Sequence, residues 1–428
     1  MTVAPRSVAE WRDHYRTRGP GPTAEAWLLR LAALDARTQR AALCGLPDER
    51  TLRHRFEAAW EGREGMLGGV PFLAKDLFAE RGARLGAGSK FLAEVLPPSP
   101  HDASLLAAFR DDAGAVLCGK TQLNEFAFGL SGENPHFGDC PHPTHPSLLS
   151  GGSSSGSAWA VGVGLVPFAL ATDTAGSIRV PATTCGVHGV RLPLIEQLED
   201  VFPLAPGFDT VGWMAGNARD LATVSGAVLG DTAPRRLRGL WLGDPGAGLP
   251  GDVLDALRIE AQRHGAEMDE EVAAALRQAL RGCGEAYPVL GGYAAAQVHA
   301  PWMERHAADY DPVVLARLVA GRARTESELA AAIVIRRKAM DAFQLLFDSG
   351  WDFLALPCTP GTALPKSGHD AAHRGRLLTL NAPASLAGLG TLALPVPIGD
   401  DGLTGGLQLV TRDTEALLAA IGWSATLT

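Results

Sequence analysis

Lys75 closes an apolar run, GGVPFLAKDLF (68–78), that reads as a strand. A lysine at the end of a buried strand is drawn out of water. Desolvation then lowers its pKa until the neutral amine is available as a base. Ser177 lies in ATDTAGSIRVPA (171–182), where an apolar strand ends at Asp173 and Ala175, Gly176 and Ser177 make a turn of small residues. Small residues let successive backbone N–H groups converge on one point, which suits an oxyanion. Ser177 is then a candidate nucleophile, although, read alone, it caps a following helix equally well. Between these segments, GGSSSGSAWAVGVG (151–164) sets serines among glycines. A linker has a similar composition. The glycines also let the backbone pass close to a site, and a serine hydroxyl there can relay a proton from Ser177 to Lys75.

Histidine is the alternative base. Twelve are present, so counting leaves a Ser-His-Asp triad open. His188 is the one that follows Ser177 closely, and it sits in an ordinary strand pattern, GVHGV. The segment HFGDCPHPTHP (136–146) gathers His136, His142 and His145 in a proline-rich loop, but no helical histidine-carboxylate motif accompanies them. No metal site is expected.

The ordered set of motifs resembles the amidase-signature hydrolases. GGVPFLAKDLF resembles that family's lysine strand, and LCGKTQLNEFAFG (117–129) resembles the segment after it. GGSSSGSAWAVGVG resembles its glycine-serine signature, ATDTAGSIRVPA its nucleophile turn, and FDTVGWMAG (208–216) the approach to its next helix. LALPCTP and NAPASLAGLGTLALPVP resemble its C-terminal core, so the likeness covers most of the chain from about residue 60 onward.

The resemblance implies a Ser-cisSer-Lys unit. Ser177 matches the nucleophile, Ser153 the serine that follows a cis peptide bond, and Lys75 the general base. It further implies an oxyanion hole from the backbone N–H groups of Thr174, Ala175, Gly176 and Ser177. Ser154 is implied to orient Lys75, with Asp173 and Arg179 holding the turn through charge-assisted hydrogen bonds. The implied reaction is hydrolysis of a small carboxamide to an acid and ammonia or an amine, through an acyl-enzyme on Ser177 and without a cofactor. Ser155 and Ala175 stand where the common motifs have glycine. The Ser155 form resembles both indoleacetamide-type amidases and allophanate-hydrolase-type enzymes. The Ala175 form resembles the latter, whereas SGENPHFG (131–138) and GFDTVGWMA resemble the former. Hydrolysis of a urea-derived amide (allophanate- or biuret-like), acyl transfer to an amine, and a non-catalytic scaffold therefore stand as alternatives. The same variants set the chain apart from the amidase component of a tRNA-dependent amidotransferase.

Phe128, Gly129, Asn134 and Trp213 are the candidate substrate contacts. Phe126, Phe137, Trp159 and His136 could also approach the site, Phe126, Phe128 and Phe137 read equally well as core residues, and Arg191 could meet a carboxylate or lie on the surface.

The elements that must hold these residues alternate. Short apolar strands are read at 68–75, 115–118, 166–173, 237–243, 352–358, 391–399 and 405–411, with AYPVL (286–290) as a further candidate. Helices fall between them. Asn217 with Asp220 and Thr325 with Glu328 mark helix starts, and Asp102 is read as an N-cap. The expected class is α/β: a single large domain with a mixed central sheet covered by helices on both faces. Residues 1–62 read as an N-terminal helical region packed on the core, and 63–428 as the catalytic domain. Residues 290–324 and 361–380 read as irregular segments that shape an entrance.

The 428 residues are 46% hydrophobic and 20% charged, and the net charge of -9 without any basic block argues against a nucleic-acid surface. Six scattered cysteines without a CxxC pair fit a reduced, cytoplasmic setting. No apolar stretch is long enough to span a membrane, and the N-terminus lacks a secretory apolar region. The expected partner is a small-molecule amide, with no nucleic acid and no membrane; a homodimer is left open.

Overall fold

The computed structural model describes residues 5–194, 200–230 and 234–427. Among them, eleven strands form one mixed sheet. In chain order these are β1 (Leu43–Cys44), β2 (Pro71–Lys75), β3 (Val116–Thr121), β4 (Phe168–Asp173), β5 (His188–Arg191), β6 (Thr210–Ala215), β7 (Gly239–Trp241), β8 (Ala266–Glu267), β9 (Phe353–Pro357), β10 (Thr391–Pro397) and β11 (Thr404–Thr411). Their spatial order is β1-β3-β2-β4-β6-β5-β10-β11-β9-β7-β8. β2 runs parallel to both β3 and β4, while β4-β6-β5-β10-β11-β9 is an antiparallel series. Every residue of β2, β3, β4 and β6 is buried. Helices cover both faces, which is why these strands read as continuous apolar runs rather than alternating ones.

The N-terminal helices start at Val8, with Ser7 and Glu10 forming a capping box. The Val8 amide donates to Asp220 Oδ1 at 3.1 Å, and Trp11, Tyr15 and Trp27 share one core with the sheet. β1 lengthens the sheet by pairing Leu43 with Thr121.

Three expectations change. AYPVL is not a strand; it lies inside the helix Cys283–His299, where Cys283, Ala286, Tyr287, Leu290, Gly291 and Ala295 are buried at helical spacing. The segments 290–324 and 361–380 are largely helical, contributing Pro312–Arg322 and the start of Ala371–Leu386. Asp102 does not cap the helix at Ser104; its carboxylate accepts from the Arg81 amide and from Arg110. The capping pairs at Asn217 and Thr325 are present.

The helices Cys283–His299 and Pro312–Arg322 cross closely. A Cβ on Gly321 would come within 2.0 Å of the Gly292 carbonyl oxygen, so glycine is required there. This crossing, with Ala371–Leu386 alongside, builds a helical wall that reaches the turn at the carboxyl end of β4. Ligands of α/β sheets bind outside such strand ends.

Candidate active site

Lys75 ends β2 and is wholly buried. Its Nζ lies 2.8 Å from Ser153 Oγ, 2.9 Å from Ser154 Oγ and 2.8 Å from Thr172 Oγ1. Burial lowers its pKa to about 7, with Asp173 and Asp209 pulling the other way. A neutral amine has two protons and one lone pair, so one of the three hydroxyls must donate to it. Ser154 gives its own proton to the Thr172 carbonyl at 3.1 Å. The lone pair is therefore left to the hydroxyl of Ser153 or Thr172. Thr172 has no counterpart among the residues singled out from sequence; its signal there is its place two residues before Thr174 in the motif.

The glycine-serine stretch is tightly packed. A Cβ on Gly152 would sit 2.0 Å from Asn124 Oδ1, and one on Gly156 would sit 2.1 Å from the Ala42 carbonyl oxygen. Gly151 has a φ of 72°, and the Gly152–Ser153 peptide bond is cis. The close approaches at Gly152 and Gly156 are positional requirements that a flexible linker would lack. The helix Ser155–Gly162 follows directly.

The nucleophile-like turn is built around Asp173. Its carboxylate accepts from the amides of Gly176 (2.8 Å) and Ile178 (3.0 Å) and from Arg179 Nε (3.1 Å) and Nη2 (2.9 Å). Burial alone would raise the Asp173 pKa, but Arg179 and Arg191 hold it well below the usual carboxylate range. Arg179 is anchored in turn by Gln408, Ser385 and the Asn381 carbonyl. Ser177 is buried, and its carbonyl accepts from the Ser154 amide at 3.2 Å, joining the turn to the serine stretch.

Gly176 departs from the expected oxyanion hole, because its amide already donates to Asp173. The amides of Thr174, Ala175 and Ser177 have no acceptor among the described residues. Ala175 is not among the positive-φ residues, so its methyl group is accommodated without backbone strain.

A small cavity at Ser177 is lined by Phe128, Gly129, Thr174, Ala175, Leu204, Tyr287, Arg374 and Leu378, among others. It adjoins a cleft of about 510 Å³ that shares Phe128, Gly129 and Arg374 and adds Arg317, His369 and His373. Phe126 and Ala127 adopt left-handed φ values of 52° and 59°, turning the chain so that Ala127 and Phe128 meet the cavity. Arg374 carries no ion pair among the described residues. Burial, and then the like charge of Arg317, lower its pKa to about 9. Arg317 donates to the Phe128 carbonyl and lies over the Phe128 ring. Tyr287, Arg317 and Arg374 were missed because they lie in segments read as a strand or as irregular.

Phe128 and Gly129 thus line the cavity, whereas Asn134 and Trp213 do not. Asn134 is buried, donating to the carbonyls of Gly88 and Leu123 and accepting from the His136 amide, so it shapes its loop. Trp213 is buried in the core, with Nε1 donating to Ser225 and its ring edge-on to Phe109. Arg191 is buried against Asp173 at 3.4 Å, neither on the surface nor in the cavity. Phe126 packs on Phe91, His299 and Tyr310, and His136 meets Glu125. Among the described residues no group of His, Cys, Asp and Glu could hold a metal ion. No helix there is long and apolar enough to cross a membrane.

Comparison with known proteins agrees with this architecture. The Amidase family model matches residues 23–237. The A subunit of glutamyl-tRNA(Gln) amidotransferase from Neisseria meningitidis serogroup C is 31% identical over 82% of this chain and 82% of its own. The AtzE subunit of 1-carboxybiuret hydrolase from Pseudomonas sp. strain ADP is 29% identical over 80% of each chain. Similarity therefore extends to amidotransferase components, a group that the variants at Ser155 and Ala175 alone would place at a distance. Among solved structures, a crystal structure of amidase superposes with a TM-score of 0.83 at 31% identity, covering 98% of this chain and 99% of that one. Allophanate hydrolase of Kluyveromyces lactis, at 23% identity, has a TM-score of 0.84 over 99% of this chain and 72% of its own, a likeness of fold. On the family match and these relatives, the chain belongs to the amidase-signature family of hydrolases.

Proposed function

We propose that the chain hydrolyses a small amide that bears a carboxylate, in the urea-derived class (allophanate- or carboxybiuret-like), through an acyl-enzyme on Ser177. The observation that carries this reading is Arg374, a guanidinium without a carboxylate partner among the described residues that lines the same small cavity as Ser177. A half-buried cation without a partner is costly unless a ligand supplies the counter-charge. Arg317 adds a second positive charge beside it. A short acyl group ending in a carboxylate would place its carbonyl at Ser177 and its charge at Arg374. The relative from 1-carboxybiuret hydrolase lends support.

In this mechanism, Ser177 Oγ attacks the carbonyl carbon while its proton passes to Ser153, whose own proton moves to neutral Lys75. The amides of Thr174, Ala175 and Ser177 receive the negative charge on the carbonyl oxygen. Collapse breaks the C–N bond, and the proton returns through Ser153 to the departing ammonia or amine. Water, deprotonated along the same relay, then attacks the acyl-enzyme and releases the acid and Ser177.

A second reading, hydrolysis of an amino-acid side-chain amide whose carboxylate would meet the same arginine, takes its support from the similarity to an amidotransferase subunit. The test is ammonia or amine release from one panel: allophanate, biuret, dicarboxylic half-amides, glutamine, aryl-acetamides and fatty amides, beside Ser177→Ala. Faster release from allophanate than from neutral biuret, lost in the variant, supports the proposal. Preference for glutamine favours the second reading. Equal rates on neutral amides would remove the carboxylate from the assignment. Release unchanged in Ser177→Ala would refute the nucleophile.

A further inference from the structure

The Thr174 hydroxyl donates to Asp209 Oδ1 at 2.6 Å, while Asp209 Oδ2 accepts the amides of Leu204 (2.9 Å) and Ala205 (2.8 Å). Thr174 offers one of the open amides beside Ser177, and Leu204 stands in the facing wall of the cavity. The pairing follows from the sheet. β4 and β6 are antiparallel with Asp173 opposite Thr210, and one step beyond that pair sets Thr174 opposite Asp209. One carboxylate thus ties two walls of the cavity, each oxygen serving a different wall.

We propose that Asp209 is a positioning residue for the oxyanion turn and the adjoining acyl wall: it fixes the Thr174 amide through the Thr174 hydroxyl and sets Leu204 against it. The inference rests on the reading of Ser177 as nucleophile. A turn amide aimed at a developing oxyanion stabilises the transition state only while held in place, and small displacements are costly in rate. The charge on Asp209 has a second effect, because it acts on buried Lys75 and favours the ammonium. The other charged or titratable groups that interact with Asp209 are Arg191 and Tyr287, and Asp173 and Arg179 lie among them around the turn. Lys75, at about 7, is the group whose titration a rate profile near neutrality reads.

The two effects separate by substitution. Thr174→Val removes the hydroxyl while keeping the shape. Thr174→Ser keeps the hydroxyl. Asp209→Asn keeps the tie, with its amide nitrogen donating to Thr174 and its oxygen accepting from Leu204 and Ala205, but removes the charge. The readout is the rate at which an alkyl fluorophosphonate modifies Ser177, which requires no knowledge of the natural substrate. In that step a Ser177 Oγ–P bond forms, the P–F bond breaks, fluoride leaves, and the serine proton passes to Lys75. We expect Thr174→Val to react roughly tenfold more slowly than wild type and Thr174→Ser to restore the rate. In Asp209→Asn the acid limb of the pH-rate profile should move to lower pH, since losing a negative charge near Lys75 disfavours its ammonium.

A Thr174→Val enzyme reacting at the wild-type rate would overturn the positioning role, and this arm stands even if Asp209→Asn does not fold. An unmoved acid limb in folded Asp209→Asn would overturn the effect on Lys75. Wild type unmodified at Ser177, or Ser177→Ala labelled equally, would instead overturn the nucleophile on which the inference rests.

Discussion

Lys75 Nζ lies 2.8 Å from Thr172 Oγ1, a contact between the carboxyl ends of two parallel neighbouring strands. β2 and β4 pair Ala74 with Leu170, so the residues just beyond emerge together at one edge of the sheet. The threonine gives the amine a third hydroxyl partner beside Ser153 and Ser154. Its loss leaves a buried donor unpaired and the amine free to rotate away from Ser153. Thr172→Val is expected to lower kcat roughly tenfold with little change in KM, and steady-state kinetics on the best amide of the panel checks it.

The proton relay also fixes a pH dependence. Lys75 must be neutral to accept the serine proton, and burial sets its pKa at about 7. The active form therefore accumulates as pH rises through that value and is lost as pH falls below it. A plot of kcat/KM against pH should show an acid limb centred near there. A flat profile between pH 5 and about 9 would remove Lys75 as the base. Lys75→Ala is expected to lose most activity, and raising the pH should not restore it, because no other amine among the described residues reaches Ser153.

Ser177→Ala should abolish turnover without unsettling the fold. The Ser177 hydroxyl makes no hydrogen bond among the described residues, so its removal leaves no buried partner unsatisfied. A thermal midpoint within about 2 °C of wild type is expected from so small a change. A large loss of stability would mean that the hydroxyl serves the fold rather than chemistry.

The strands around the site were legible because both their faces are covered. PFLAK and FALATD are unbroken buried runs that end in turn residues, and helix starts at Asn217 and Thr325 carry their side-chain caps in the local sequence. The cavity walls were not legible in that way. Tyr287 sits in a short apolar run whose helical period appears only over Cys283–His299, and Arg317 and Arg374 meet across helices far apart in the chain. No local pattern marks such a meeting. Trp213 shows the converse error. It lies within a motif, but its side chain is directed to Phe109 and Ser225 in the core, and proximity in sequence does not say which face a strand residue takes.

Arg374 separates substrates by charge. Replacing it with Met keeps an apolar side chain of similar reach and removes the counter-charge. For an amide bearing a carboxylate, kcat/KM should fall roughly a hundredfold, the magnitude of a lost charge-assisted hydrogen bond in a partly buried site. For a neutral amide of the same length it should fall much less or rise. Arg374→Lys should recover only part of the loss, since an ammonium cannot make the paired contact of a guanidinium. Equal losses on both substrates would show that Arg374 supports the wall rather than reading charge.

Glu125 gives a prediction about stability. It is buried, with Oε1 2.9 Å from His136 Nε2 and Oε2 accepting the Asp311 amide at 2.7 Å, and so joins the loop beside the cavity to the start of the helix that carries Arg317. Burial raises its pKa from 4.5 to about 8. Burial also lowers the pKa of His136, so at neutral pH the carboxylic acid donates its proton to a neutral imidazole. The folded-state value lies above the unfolded one, and the sign follows. The stabilising effect of holding the proton is complete below about pH 4.5, declines as the unfolded chain ionises, and is gone once the folded protein ionises above pH 8. Glu125→Gln carries no such proton. Relative to Glu125→Gln, wild type should lose thermal stability steadily as the pH rises from 5 to about 8 and level off beyond. Melting curves of the two proteins across that range would decide it, and parallel curves would mean that Glu125 is already ionised in the native protein.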